Sequence, residues 1–249
     1  MTDQAAEARV RAWLEEAGRV VVLTGAGVSA ESGVPTFRDA LTGFWARYSP
    51  EELATEAAFR AHPQRVWDWY LQRRQALLSV RPNAGHVALA RHAMMHPGQL
   101  TLVTQNVDGL HQQAGQAGTL ALHGDIQAER WLDEPRTCCH QLPPQPGRPP
   151  SCSVCGNLRR PDVVWFGESL PWEVLAAAER AADNCELMLV VGTAGAVYPA
   201  AGLVHRARRA GARVVVVNPA ATELDSLAHV RLVGTSAAIL PRILDPAER

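Results

Sequence analysis

A chain of 249 residues is long enough for one large α/β domain, or for one domain carrying a smaller insertion. Apolar residues make up 47% and charged residues 20%, enough to build a real core, and a formal net charge of -1 asks for no nucleic-acid partner. No apolar run approaches the ~18 residues of a membrane span, and the polar start Met1-Thr2-Asp3-Gln4 lacks the order of a signal peptide, so a cytoplasmic protein without a membrane partner is expected.

Apolar groups at Val10, Trp13, Leu14 and Ala17 repeat at helical spacing, and Gly18 ends that run. Val20-Val21-Val22-Leu23 is a continuous, mostly β-branched stretch of the kind buried in a parallel sheet, and it closes in Thr24-Gly25-Ala26-Gly27. Residues 41–80 are helical in pattern and rich in Trp and Arg. Three further strands are expected at Leu100–Thr104, Leu187–Val191 and Arg213–Val217, with helical segments such as 199–209 between them. Strand, turn and helix in repetition predict a Rossmann-like, doubly wound parallel sheet.

Residues 124–160 break the rhythm with Pro135, Pro143, Pro144, Pro146, Pro149 and Pro150, a density that excludes helix and central strand within the proline-rich loop. The same stretch holds Cys138, Cys139, Cys152 and Cys155, and in a reducing compartment such clustering points to metal before disulfide. Cys185, alone before an apolar run, reads as a buried core thiol. The expected organisation is a discontinuous large domain of 1–40, 81–123 and 161–249, with 41–80 and 124–160 forming a small one.

Glycines between a strand and an expected helix let backbone approach a phosphate, though such a turn also occurs with no ligand. Gly33 follows Gly27 by six residues, the wrong spacing for a hydride-transfer dehydrogenase. Longer strings narrow the reading. They are Gly25-Ala26-Gly27-Val28-Ser29-Ala30-Glu31-Ser32-Gly33-Val34-Pro35-Thr36-Phe37-Arg38-Asp39, then Thr104-Gln105-Asn106-Val107-Asp108-Gly109-Leu110-His111, then Leu122-His123-Gly124. Arg160-Pro161-Asp162-Val163-Val164-Trp165-Phe166-Gly167-Glu168 and Val191-Gly192-Thr193 follow. In that order and across nearly the whole chain, the set resembles the sirtuins, a family of NAD+-dependent protein deacylases.

The resemblance implies NAD+ as co-substrate in a cleft at the carboxyl ends of the strands. It places Gly25, Ala26, Gly27, Ser29, Ala30 and Glu31 on the pyrophosphate-side loop, with Thr36, Phe37 and Arg38 in the segment closing over the nicotinamide end. Gln105 would contact the ribose, Asn106 and Asp108 the nicotinamide amide, and Gly192, Thr193, Asn218 and Ser236 further parts of the cofactor. The acyl oxygen of an acyl-lysine protein or peptide would attack the ribose carbon as nicotinamide leaves. His123 would take a proton from a ribose hydroxyl, leading to free lysine and O-acyl-ADP-ribose. A lone histidine beside a strand is more often a structural hydrogen-bonding group; the Leu122-His123-Gly124 context, 17 residues after Asn106, reverses that. Val164, Trp165, Phe166, Gly167 and Glu168, with Gly195 and Val197, would pair with substrate peptide as strands.

The cysteines depart from the family, whose first Cys-x-x-Cys pair would fall where Trp131 and Glu134 stand. Structural Zn2+ through Cys138, Cys139, Cys152 and Cys155 requires a tight turn at the adjacent pair, with His140 an alternative ligand; a loop folding without metal is the competing reading. Ala194 stands where the family usually has serine, and Asn218-Pro219-Ala220 lacks a common acidic residue. Tyr70 and Arg73, three apart, share a helix face, either as a core tyrosine beside a solvated arginine or as an acyl pocket. The segment is similar to that of class III sirtuins, in which a Tyr-x-x-Arg pair binds succinyl, malonyl or glutaryl carboxylates, and Ala40 matches the small residue widening that pocket. The alternatives are protein mono-ADP-ribosyl transfer on the same scaffold, a non-catalytic NAD sensor and a redox dehydrogenase. A monomer is expected. Every basic residue in the chain is arginine, so the protein offers no lysine side chain as a substrate for itself.

Overall fold

The computed structural model describes residues 4–34, 48–49, 52–195 and 197–245; Thr36, Phe37, Arg38 and Ala40 lie outside the described residues. The chain opens with α1 (Gln4–Glu16), which buries Val10 and Leu14, and β1 (Val20–Thr24). Then come α2 (Glu56–Ala61), α3 (Pro63–Leu77), α4 (Ala84–Met95), β2 (Leu100–Thr104), α5 (Leu110–Gln113) and β3 (Leu120–Ala121). The middle of the chain forms β4 (Gly124–Trp131), α6 (Thr137–Gln141) and β5 (Arg159–Val163); α6 is a short helix in the proline-rich loop expected to hold none, fitting into the proline-free interval between Pro135 and Pro143. It continues through α7 (Trp172–Asn184), β6 (Leu187–Val191), α8 (Ala200–Arg209), β7 (Arg213–Val217), β8 (Val230–Leu232) and α9 (Ser236–Leu244). Among the described residues no helix is long and apolar enough to cross a membrane.

Six strands form one sheet in the order β3-β2-β1-β6-β7-β8, with every pairing parallel. The four strands expected from sequence are its centre; the edges β3 and β8 are too short to carry a pattern. Period-two geometry divides β1 between two cores. Val20 and Val22 pack with Val10, Leu14, Leu89 and Ile239 on one face, and Val21 and Leu23 with Ala178, Leu203 and Val204 on the other. Both faces are covered, which is why the central strands are continuous apolar runs. Cys185 is buried in the second core, as expected.

A third core joins the helical insertion to the antiparallel pair β4-β5: Leu53, Phe59, Val66, Trp67, Trp69 and Tyr70 pack with Ile126, Val163 and Trp165. Thr55 caps α2 by accepting from the Ala58 N–H, and Pro63 opens α3 where a missing N–H costs nothing. Arg74 ties α3 to β4, donating to the Ile126 carbonyl at 2.5 Å, the Ala128 carbonyl at 3.0 Å and the Glu129 carboxylate at 3.0 Å. The boundary expected between residues 160 and 161 falls inside β5, because Arg159–Val163 is held as one strand by its pairing to β4.

At the start of β4, Gly124 has φ +85, and a Cβ there would lie 2.1 Å from the Asp162 carbonyl oxygen. Gly124→Ala therefore strains its own backbone and pushes β4 from β5 next to His123. The expected cost is ~1–3 kcal/mol, a melting temperature lower by roughly 2–10 °C. A variant melting within a degree of wild type by calorimetry would contradict this.

Candidate active site

The carboxyl ends of β1, β2, β3 and β6 carry Gly25-Ala26-Gly27, Gln105 to Asp108, Leu122-His123 and Gly192-Thr193, all on one edge of the sheet. The chain order reverses between β1 and β6, the crevice where open α/β sheets bind ligands. There the Gly25 N–H donates to the Val191 carbonyl at 3.1 Å and the Gly27 N–H to the Gly192 carbonyl at 2.8 Å. A Cβ on Gly27 would sit 2.8 Å from Gly192 Cα, so glycine admits the close approach of two backbones. The N–H groups of both glycines are thus engaged within the chain. The helix expected after the turn is two short 3-10 turns, Ala26–Val28 and Ala30–Ser32, ended by Gly33 at φ +86.

Ser29 is fully buried at the centre of the site. Its hydroxyl donates to Asp108 Oδ2 at 2.7 Å and accepts from Asn106 Nδ2 at 3.1 Å. Asp108 Oδ1 accepts the Leu110 N–H at 2.9 Å, and the Asn106 N–H donates to Thr104 Oγ1 at 3.0 Å. Asn106 and Asp108 are therefore held in place by the protein itself.

Two histidines that the sequence reading passed over sit beneath this network. Because the Ser29 hydrogen goes to Asp108, His86 Nε2–H, 3.3 Å away, donates to Ser29 Oγ, while His86 Nδ1 accepts the Asn83 N–H at 3.3 Å. Thr24 Oγ1 donates to Thr104 Oγ1 at 2.8 Å, so His111 Nε2–H donates to Thr24 Oγ1 at 3.0 Å. The rings of His86 and His111 lie 4.7 Å apart. Burial pulls His111 down to about 3, with His86 adding to the effect. Burial also lowers His86, against the pull of Asp108. Both are neutral near pH 7, and for His86, whose Nδ1 accepts while Nε2 donates, the bonds require it. The one sequence signal for His86 was its place three residues after Asn83, where it completes a capping box at the start of α4.

His123 follows β3. Its Nδ1 lies 2.8 Å from the Gln105 carbonyl, which only accepts, so Nδ1 carries the proton and Nε2 holds a lone pair. Burial lowers its pKa below the ordinary imidazole value, partly opposed by that bond. Gln105 in turn donates to Thr193 Oγ1 at 3.2 Å.

Tyr70 and Arg73 share one side of α3. Tyr70 is buried, and its hydroxyl accepts the Trp165 indole N–H at 3.0 Å. Burial pushes the phenol up to about 12, against Arg73 and the Trp165 bond. The Arg73 guanidinium lies 4.8 Å from the Trp69 ring centre and 6.0 Å from that of Tyr70. Burial lowers its pKa, while Tyr70 and Asp108 act in the opposite direction.

Several expected contacts are used differently. The N–H groups of Val164, Trp165, Phe166 and Glu168 donate to the His123 carbonyl, Glu168 Oε2, the Ala54 carbonyl and the Trp165 carbonyl. These four N–H groups are bonded within the protein. Glu31 Oε2 accepts the Ala237 N–H at 3.1 Å, and the buried Ser236 hydroxyl donates to the Val28 carbonyl at 3.2 Å. Both bind α9 to the glycine turn. Asn218 donates to the Ala220 carbonyl at 2.9 Å. Ala30 and Val197 are exposed, and Gly195, at φ +81, is packed against Leu224.

Cys138, Cys139, Cys152 and Cys155 bring their sulfurs within 4.8 Å of one another. The adjacent pair sits on α6, where neighbours differ by about 100° instead of the 180° of extended chain, so both sulfurs reach one point. Cys139 and Cys155 sulfurs are 3.5 Å apart. A tetrahedral Zn2+ with ~2.3 Å bonds sets sulfurs about 3.8 Å apart, so the four thiols fit the ion. His140 is outside the cluster. Trp131, in the place of a family cysteine, is stacked by Arg159 at 4.9 Å.

Comparison with known proteins bears on the whole of this arrangement. The Sir2 family model matches residues 25–199. The NAD-dependent protein deacylase of Ralstonia nicotianae is 55% identical over 246 residues, 98% of each chain. That of Methylococcus capsulatus is 46% identical over 243 residues, 95% of each. A solved Sir2 homolog–NAD complex superposes with a TM-score of 0.84 at 38% identity, covering 95% of this chain and 92% of that one. The matched span holds the glycine turn, Asn106, Asp108, His123 and the four clustered cysteines, and the chain belongs to the Sir2 family.

Proposed function

We propose that this protein is an NAD+-dependent protein-lysine deacylase working best on acyl groups that end in a carboxylate. One observation carries the catalytic part: a half-buried His123 whose Nδ1–H is fixed on the Gln105 carbonyl, with Nε2 as base at the sheet edge that also holds Asn106 and Asp108. Deacylation is what the names of the Ralstonia and Methylococcus relatives state of those proteins. When bound, NAD+ supplies the ribosyl carbon that accepts the acyl oxygen as nicotinamide departs. Asn106 and Asp108, pre-set by Ser29, orient the nicotinamide amide. His123 Nε2 removes the proton from a ribose hydroxyl so that its oxygen attacks the acyl carbon. Water then completes the release of free lysine and O-acyl-ADP-ribose, nicotinamide having left in the first step. The large sheet and the module of α2, α3, β4 and β5 form the two sides of the cleft in this reading, with the peptide on Gly167, Gly195 and Val197.

A base must be neutral to act. Since burial lowers the His123 pKa, the rate holds as pH falls past ~6.5 and drops only as the ring protonates below that value. His123→Ala should reduce turnover by roughly 10²-fold or more and remove this acid limb, with NAD+ binding and melting little changed. Near-normal turnover in that variant would take His123 out of the mechanism.

The acyl preference rests on Tyr70 and Arg73. A guanidinium is a planar, permanently charged fork for a carboxylate, and a phenol adds one donor. An acetyl group reaches neither. A charge-assisted bond of ~1.5–3 kcal/mol corresponds to roughly 10- to 150-fold discrimination. In a panel of acyl-lysine peptides with and without NAD+, succinyl should exceed acetyl in kcat/KM, and Arg73→Met should bring the ratio close to one. A wild type that prefers acetyl, or a variant that keeps the succinyl preference, refutes the assignment.

The cysteine cluster is proposed as a structural zinc site holding α6 to the turn before β5. Purified protein should carry about one equivalent of zinc, and Cys152→Ser should lose it and melt lower. Metal-free protein with the same melting temperature with and without chelator would mark the loop as folding without metal.

A further inference from the structure

Trp165 is completely enclosed yet surrounded by polar interactions. Its indole N–H donates to Tyr70 Oη at 3.0 Å. The Arg160 guanidinium carbon lies 3.3 Å from the Trp165 ring centre, and the Phe59 ring packs against the indole at 5.2 Å. Arg160 is itself buried, donating to the Val163 carbonyl at 2.8 Å and to Glu168 Oε2 at 3.1 Å. Glu168 Oε2 also accepts the Trp165 backbone N–H at 2.8 Å. The indole is thus clamped from its backbone, from one face and at its nitrogen.

Hydrogen-bond polarity gives this clamp a consequence. An indole N–H only donates, so Tyr70 can meet it only as acceptor. A second polar group beside Tyr70, the Arg73 guanidinium, is also donor-only. The Glu168 carboxylate is taken up by Arg160, Arg130 and the Trp165 backbone. Among the described residues, these partners leave the single Tyr70 hydrogen without an acceptor.

We infer that Trp165 is a specificity-determining positioning residue: by filling a lone pair of Tyr70, its indole N–H turns the phenol hydrogen outward as a donor to the distal carboxylate of the acyl group. Arg160, clamped by Glu168, holds the indole at the angle this requires. The inference rests on the reading that Tyr70 and Arg73 receive that carboxylate. A loose phenol would divide its hydrogen among orientations, whereas a fixed one meets the carboxylate already aligned, which appears in KM for the dicarboxylic substrate more than in kcat.

The test is Trp165→Phe, which keeps a ring against Phe59 and Arg160 and deletes the N–H. The readout is the ratio of succinyl to acetyl kcat/KM, which cancels any loss common to both substrates. One neutral hydrogen bond corresponds to a fall in that ratio of about 3- to 10-fold, carried by the succinyl KM. In a Tyr70→Phe background, adding Trp165→Phe should leave the ratio where Tyr70→Phe put it, because the two groups act through one bond. If the phenylalanine variant does not fold, benzothienyl-alanine at position 165, with sulfur replacing N–H in a ring of the same shape, carries the same comparison. A wild type that favours succinyl, with a variant that keeps the full ratio or loses more of it in the Tyr70→Phe background, overturns the role of Trp165 alone. A wild type without succinyl preference overturns the acyl reading and this inference with it.

Discussion

Two backbones meet at Gly27 and Gly192 with no room for a methyl group between them, and the site depends on that contact. It joins the loops after β1 and β6 where the strand order reverses. It also sets Ser29, two residues on, under the loop after β2. From there hydrogen bonds run to Asn106 and Asp108. Side chains at either glycine would force the loops apart and take Ser29 from its partners.

The second constraint is a polar network in a place that would otherwise be apolar. Ser29, Thr24, Thr104, His86 and His111 are all buried. Groups of this kind are costly in a core unless bonded, and each carries at least one bond that fixes a donor direction. The same logic, in which one partner's fixed role sets its neighbour's, makes His123 Nδ1 the donor to the Gln105 carbonyl and Tyr70 Oη the acceptor of the Trp165 N–H. Orientation in this site comes from the protein's own bonds.

The sequence made the central strands legible because both faces of the sheet are covered, so β1, β6 and β7 read as unbroken apolar runs. It could not disclose β3 or β8, whose two and three residues are strands only because a neighbour pairs with them. His123, Asn106 and Asp108 were found through long strings, not through residue type. His86, and the bond that His111 at the end of one such string makes to Thr24, were not foreseen, because a buried histidine bonded to serine or threonine has no pattern of its own. The adjacent cysteines looked geometrically awkward only on the assumption of extended chain; one turn of α6 removes the difficulty. Glu31 and Ser236 also carry bonds that no string announces: both join α9 to the segment after β1.

The central claim, acyl transfer from lysine onto the ribosyl product of NAD+, is tested most directly by mass analysis of one reaction. Wild-type protein, a succinyl-lysine peptide and NAD+ should give nicotinamide, free-lysine peptide and O-succinyl-ADP-ribose in equal amounts, and none of these without NAD+. Nicotinamide released together with an ADP-ribosylated protein, while the peptide keeps its acyl group, would contradict the account and point to ADP-ribosyl transfer on the same scaffold.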